Sequence, residues 1–333
     1  MSDKLEYDVV ASIVLYKHSK EEILQVAKDF FDSSTGLRRK LCLIDNSPEK
    51  SDYSNEENDI LEYHHTNHNG GYGYGHNKAI HANQGNTKYH VVLNPDIQIK
   101  DNVINKLFKE MEANKNIGLC SPQINNADGT NQFQSRRLPK FSYILKRGTE
   151  AFFPKSKKFF QKENDEENLK SLYDKKKAFV APFISGCFMF MRGTHLNKVK
   201  GFDEKYFMYY EDYDLSRRLA EKGKNVVFPQ HSITHDWQRS STKSLKLLKA
   251  HATSMMRYFS KYGFIKDKTR DKINKEVKTY KSKLESVKFS KAKLHTNENN
   301  KELNIKTTDN KNLKQENTKY VENTQPLKRV NER

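Results

Sequence analysis

Four short polar clusters hold the side chains of this sequence that could do chemistry: Tyr16-Lys17, Asp45-Asn46, Asn94-Pro95-Asp96 and Glu211-Asp212. The first three each follow an apolar run, so a carboxylate or a tyrosine stands where a strand would stop. A single carboxylate in such a place, Asp96 above all, offers hard oxygen to a divalent cation, and an adjacent pair such as Glu211-Asp212 can take or hold a proton. Each cluster also has a plain structural reading. Asn-Pro-Asp is turn chemistry, because Pro95 cannot donate to a ladder and pushes Asn94 out of the helical region. Asp45 suits an Asx turn, and Glu211-Asp212 suits an acidic helix start. Singly, no cluster decides between the two readings; the elements that position them bear on the choice.

Residues 9–16 read as a first buried strand, and Ser19 caps a helix over 21–31 with Glu21 and Glu22 in its first turn. Residues 40–44 and 60–64 read as the second and third strands, and 89–93 as the strand that ends at Asn94-Pro95-Asp96. Between them, 67–75 is a glycine-rich loop and 77–83 the start of a helix. A helix over 102–113 and a strand over 117–121 continue the alternation, which predicts a doubly wound, largely parallel sheet. Right-handed crossovers would bring the strand ends to one rim, where open α/β sheets place their ligands. Residues 133–177 are basic, aromatic and weakly patterned, and read as a long, partly mobile excursion over that rim. The chain returns to the core over 179–191. It then forms a helix over 214–222 with Asp214 as its cap, a short last strand over 225–229, and an amphipathic helix over 245–259.

Only 35% of the 333 residues are hydrophobic, and a mean hydropathy of −0.95 points to a folded core with solvated segments. Sixty Lys and Arg against 42 Asp and Glu leave a formal charge of +18, which favours an anionic partner. The three cysteines, Cys42, Cys120 and Cys187, have neither metal spacing nor even pairing, as expected of a reducing, cytoplasmic setting. The first apolar run is too short and wrongly flanked for a signal peptide. The longest, 178–191, is broken by Pro182 and Gly186 and is too short to span a bilayer, so a soluble or peripheral protein is expected. Three segments follow: residues 1–264, a Lys-rich helical extension over 265–294, and a polar tail over 295–333 that cannot bury enough surface to stay ordered.

Taken in order, several stretches resemble a known family. They are Ser12-Ile13-Val14-Leu15-Tyr16, Leu43-Ile44-Asp45-Asn46-Ser47, Asn69-Gly70-Gly71-Tyr72-Gly73-Tyr74-Gly75-His76-Asn77 and Leu93-Asn94-Pro95-Asp96. Further on come Gly186-Cys187-Phe188-Met189-Phe190-Met191-Arg192, Gly201-Phe202-Asp203-Glu204, Phe207 to Leu215, and His235. The chain is similar, over residues 7–264, to the nucleotide-sugar glycosyltransferases of family 2. More narrowly, it resembles the rhamnosyltransferase-type members that build bacterial surface polysaccharides. The resemblance implies a GT-A fold, a Rossmann-like, mostly parallel sheet flanked by helices. It implies inverting sugar transfer with Asp212 as general base, and an acceptor side formed by Glu211, Trp237 and Arg239. It places Tyr16, Asp45, Asn69, Gly71, Asn77, Asn94 and Asp96 against the donor. Asp96 and His235 would hold a divalent cation, Mn2+ or Mg2+. The family's Asp-x-Asp motif has Asn94 in its first position here, so the implied metal site is a lean one.

The implied donor is a nucleoside-diphosphate sugar, dTDP-rhamnose first. Galactosyl, galactofuranosyl and N-acetylglucosaminyl transfer stand as alternatives, and a non-catalytic sugar-nucleotide or nucleic-acid binder behind them. The implied acceptor is a saccharide linked to polyprenyl diphosphate at the inner leaflet, which gives the basic C-terminal residues an anionic membrane surface to sit near. Nucleic acid is the weaker partner, since the tail has no interleaved aromatics and no recognised module; a purely solvating tail is a third reading.

Overall fold

The apolar runs line up as a sheet of nine strands in a computed structural model, which describes residues 5–53, 55–152, 157–236 and 245–282. In chain order the elements are β1 (Tyr7–Leu15), α1 (Lys20–Ser33), β2 (Arg39–Asp45), β3 (Leu61–His65), α2 (Tyr72–Ala82), β4 (Thr87–Leu93), β5 (Ile97–Gln98), α3 (Val103–Ala113) and β6 (Ile117–Asn125). The chain continues through α4 (Phe141–Phe152), α5 (Lys157–Glu167), α6 (Lys170–Tyr173), β7 (Phe179–Val180), β8 (Phe188–Arg192), α7 (Gly193–Val199), α8 (Glu211–Ala220), β9 (Lys224–His235), α9 (Leu245–Tyr262) and α10 (Lys268–Lys275).

The strand order is β3-β2-β1-β4-β8-β6-β9-β5, with β7 on β9. β3, β2, β1 and β4 are parallel neighbours, so the polar clusters after Leu15, at Asp45 and after Leu93 share one rim. β8 lies antiparallel between β4 and β6, and β9 runs parallel to β6. β9 therefore ends on the same rim, where two-residue β5, just past Asp96, pairs Ile97 with His235.

β1, β2 and β4 are largely apolar along their buried lengths because both of their faces are covered. Val9, Ala11, Ile13, Leu41, Leu43, Val91 and Leu93 meet Ile23, Val26 and Phe30 of α1 and Leu107 and Met111 of α3. Val10, Val14, Cys42 and Ile44 face the other way, toward Ala79 of α2. Ser19 caps α1 as its sequence suggests: its side chain accepts from Glu22 N at 3.3 Å, and Glu22 reaches back to Ser19 N at 3.2 Å.

Five expectations need correcting. The glycine-rich stretch is not a loop to its end, because α2 begins at Tyr72. Residues 133–177 are not weakly structured; they contain α4, α5 and α6, with Phe141 packed 5.0 Å from Phe259 between ring centroids. Asp214 does not cap a helix. It lies inside α8, fully buried, and binds Arg218, Lys261 and Tyr262. The last strand is long and continues to His235. Among the described residues of the C-terminal extension, 265–282, helix is confined to α10, and this part is tied to α8 by the buried Arg217–Asp267 pair. Residues 283–333, where the polar tail is expected, lie outside the described residues.

One buried polar cluster crosses the sheet. Ser12 Oγ lies 2.8 Å from His76 Nδ1 and 2.9 Å from His90 Nε2. Burial lowers both imidazoles, His90 to about 3 and His76 well below the ordinary histidine value, so both are neutral in the folded protein. The unfolded chain binds these protons at ordinary histidine values, so stability is full above that range and is lost as the pH falls below it. His90→Asn should therefore flatten the acid limb of unfolding free energy by about 1.4 kcal/mol per pH unit between pH 6 and 5. Urea melts across that range check this, and an unchanged slope would contradict it.

Candidate active site

The rim gathers two half-sites. The first is built where β4 and β9 end. Asp96 Oδ1 lies 3.2 Å from His235 Nε2 and accepts no hydrogen bond despite being out of water. The opposite ring nitrogen, Nδ1, lies 3.0 Å from Gln132 Oε1. That amide is oriented by its own nitrogen, which donates to the His235 carbonyl at 2.7 Å. An amide oxygen can only accept, so Nδ1 carries the proton and Nε2 presents a lone pair. Asn94 Nδ2, 3.5 Å from Nε2, is the weak donor on that side. A carboxylate oxygen and an imidazole lone pair thus face each other with no proton between them in the neutral ring. Such a pair fits a divalent cation, and Gln132 is the outer partner that metal-binding histidines use to hold their tautomer. Among the described residues no cluster of three or more His, Cys, Asp or Glu forms a cage. A cation here would therefore take its remaining ligands from elsewhere.

The second half-site is the start of α8. Asp212 Oδ2 accepts from Gly186 N at 3.1 Å, and Oδ1 from Tyr213 N at 2.9 Å. Burial raises its pKa to about 6, against those two N–H groups and the charge of Arg136. Glu211 is pushed up further, by burial and by the Asp212 charge, and its Oε2 has no partner. Of the two carboxyls, Asp212 has donors for a negative charge, so Glu211 keeps the proton. The helix starts here because Tyr209 and Tyr210 adopt left-handed backbones, φ 68° and 64°. Each costs about 1–2 kcal/mol, and the Tyr210 ring is held in a cluster with Tyr206, Tyr258 and Phe259.

Tyr72 joins the halves. Its hydroxyl donates to the Gly186 carbonyl at 2.6 Å and lies 3.1 Å from Asn94 Oδ1. On one side stands the Asn94–Asp96–His235 group, on the other the Asp212 carboxylate bonded to the same Gly186.

The other expected residues divide. Gly71 opens α2 with φ 100°, and a Cβ there would meet the Phe207 carbonyl at 2.0 Å, so only glycine fits. Asn69 Oδ1 accepts from Gly71 N at 3.1 Å, and Tyr16 stands exposed beyond β1. Asp45 is 1% exposed; Tyr63 OH and Ser47 N occupy its two oxygens at 2.8 and 2.9 Å, so it braces the loop after β2. Asn77 is buried and brackets residues 202–204, accepting from Phe202 N at 2.8 Å and donating to Glu204 Oε1 at 2.8 Å. It supports the rim rather than lining it. Trp237 and Arg239 lie outside the described residues. Sequence reasoning missed Gln132, which has no spacing signal, and the bridging role of Tyr72. It also missed His18, whose ring feels the charges of Asp96 and Asp45.

Comparison with known proteins bears on the family and the fold. Residues 13–199 match the profile of glycosyl transferase family 2, and residues 170–239 that of an N-terminal domain of galactosyltransferase. The chain is 26% identical over 216 residues to rhamnosyltransferase WbbL of Escherichia coli K12, covering 62% of this chain and 76% of that one. It is 28% identical over 152 residues to the N-acetylglucosaminyl-diphospho-decaprenol L-rhamnosyltransferase of Mycobacterium tuberculosis, covering 44% of this chain and 46% of that relative. Two solved structures share the fold. GalNAc-T7 with UDP, GalNAc and Mn2+ has a TM-score of 0.51 at 12% identity, over 78% of this chain and 48% of that one. The mannosyltransferase PcManGT of Pyrobaculum calidifontis with GDP-Man and Mn2+ has a TM-score of 0.50 at 11% identity, over 82% and 69%.

The role of Gln132 can be measured without turnover. Gln132→Leu frees the imidazole to change tautomer and should weaken Mn2+ binding about 10- to 100-fold, while Gln132→Glu keeps an acceptor against Nδ1 and retains it. Electron paramagnetic resonance of free Mn2+ reads both; unchanged affinity in Gln132→Leu would remove the glutamine from the site.

Proposed function

We propose that this chain, which belongs to glycosyl transferase family 2, is an inverting transferase that moves rhamnose from dTDP-rhamnose to a lipid-linked or growing surface glycan. The observation that carries the reading is the placement of a partly protonated carboxyl pair across Tyr72 from the Asp96–His235 pair. Inversion needs a base on the face opposite the leaving group, and these two groups approach the rim from different elements.

In this reading the donor's diphosphate lies at Asp96 and His235, with Asn94, Asn69, Gly71 and Tyr16 against the rest of the nucleotide sugar. A divalent cation bound there would stabilise the charge that develops on the departing diphosphate. Asp212 takes the proton from the acceptor hydroxyl as its oxygen forms the bond to the anomeric carbon. The bond from that carbon to the diphosphate oxygen breaks, and its electron pair leaves with the nucleotide. Glu211, still protonated, donates a hydrogen bond toward the acceptor and adds no second charge beside Asp212.

The rhamnosyl assignment draws on the names of the two relatives, and the lipid-linked acceptor on the diphospho-decaprenol of the mycobacterial one. The cation draws on the Mn2+ in both structural neighbours and on the unpartnered Asp96 oxygen. Galactosyl transfer is the second reading, favoured by the profile matched over 170–239. No helix among the described residues is long and apolar enough to cross a membrane, so a lipid-linked acceptor would be met at a surface.

A panel of sugar nucleotides with Mn2+ separates the donors, and dTDP-rhamnose should give the fastest donor turnover. Its kcat/KM should rise with pH through a midpoint of about 6, because Asp212 acts only when ionised. Glu211→Gln replaces a neutral acid by a neutral amide and should leave that midpoint in place. A midpoint near 4, or faster turnover of a galactose donor, would contradict the base or the sugar respectively.

A further inference from the structure

Helix α9 has one face that the fold accounts for and one that it does not. Ser254, Tyr258 and Phe259 point inward and are buried. Ser254 donates to the Met208 carbonyl at 2.8 Å, and the two rings join Tyr206 and Tyr210 beneath α8. On the outer side Leu245, Leu248, Ala252 and Met256 recur at turn spacing and form one stripe. Leu245 is 86% exposed, Leu248 59% and Met256 46%.

A cationic cleft runs beside that stripe. Lys246, Lys249 and Arg257, one helix position on, join Lys205 around a hollow of about 250 Å³ floored by Phe207 and Ser254. None of the four pairs with a carboxylate among the described residues. Lys261, further along the helix, does, holding Asp203 and Asp214 at 2.7 and 2.6 Å. Cations without carboxylates next to an exposed leucine and methionine stripe are the makeup of a helix that lies in a lipid interface, apolar side in the acyl boundary and basic side at the phosphates. A single-stranded nucleic acid would ask for a row of stacking aromatics; the outer face of α9 has none, and Phe207 is the single aromatic lining the cleft.

We infer that the outer face of α9 docks on an anionic lipid surface, with the Lys205–Lys246–Lys249–Arg257 cleft receiving lipid phosphate. The inference needs neither the sugar nor the acceptor proposed above, so it can fail while that reading stands. Phe207 lines the cleft, and its carbonyl accepts from Tyr72 N at 2.9 Å. The docking face is therefore one residue removed from the tyrosine that joins the two half-sites.

The test is co-sedimentation of the full chain with phosphatidylcholine vesicles, with and without phosphatidylglycerol. The wild type should sediment with the anionic vesicles and hardly with the neutral ones. The triple reversal Lys246→Glu, Lys249→Glu, Arg257→Glu should weaken that binding at least about tenfold, and Leu245→Ser with Leu248→Ser should weaken it as well. All the changed side chains are exposed, and unaltered thermal melts show that the variants fold. A control reversal of the same size at Lys106, Lys109 and Lys222 should keep most of the binding. Wild-type binding by the α9 variant overturns the inference. So does an equal loss in the control, which would mean diffuse attraction to a basic protein. Tighter binding to single-stranded RNA than to the anionic vesicles, lost in the same α9 variant, would overturn it too.

Discussion

The site depends on how closely three backbones can approach one another. Tyr72 reaches the Gly186 carbonyl at 2.6 Å. A Cβ on Gly186 would sit 3.3 Å from the Tyr72 ring, which would have to give by a few tenths of an ångström, and in ordinary contact with Asp212 Cβ at 3.5 Å. Gly71, in a backbone region closed to other residues, lets the Tyr72 N–H meet the Phe207 carbonyl at 2.9 Å. With these contacts closed, one tyrosine hydroxyl ties the end of β4 to the start of α8. Opened by even a methyl group, the two half-sites would lose their common wall. Positioning of this kind is where such an enzyme lowers its barrier, because the protein forms no bond to the sugar in an inverting transfer.

Electrostatics divides the labour on that frame. Asp96 faces an imidazole lone pair and has an oxygen with nothing to accept; Asp212 has two backbone donors and a neighbour that keeps its proton. In the function proposed above, the first carboxylate would meet a cation and the second a proton. A chain of formal charge +18 adds a field that favours anionic partners.

Much of this was legible in the sequence, for physical reasons. The strand that ends at Asp96 announces itself through Val91, Val92 and Leu93 followed by Pro95, since a strand covered on both faces needs the run and proline forbids its continuation. The parallel order then puts Tyr16, Asp45 and Asn94 on one rim. What local patterns could not give are contacts made across the sheet. α2 begins three residues ahead of Gly75, although Gly73 and Gly75 are poor helix formers, because they leave room for Phe202 and Val14. Asp214 looks like a cap because the apolar period begins beside it. The true start is set by Tyr210, whose left-handed backbone is held by distant rings of α9. Asn77 and Asp45 have the right side chains in the right motifs, yet both are engaged within the fold: Asp45 by Tyr63 and by nearby Ser47, and Asn77 by residues 202 and 204. Gln132 carries no pattern at all; only the fold brings it to His235.

The central claim is that Asp212 acts on the acceptor while Asp96 and His235 hold the donor's diphosphate. Calorimetry of a nucleoside diphosphate with Mn2+ binding to Asp212→Asn tests it most directly, with transfer measured on the same preparation. The account predicts donor-side affinity close to that of wild type, with transfer lowered about 10²- to 10⁴-fold. Loss of nucleotide binding in step with transfer, or transfer retained at the wild-type rate, would contradict it.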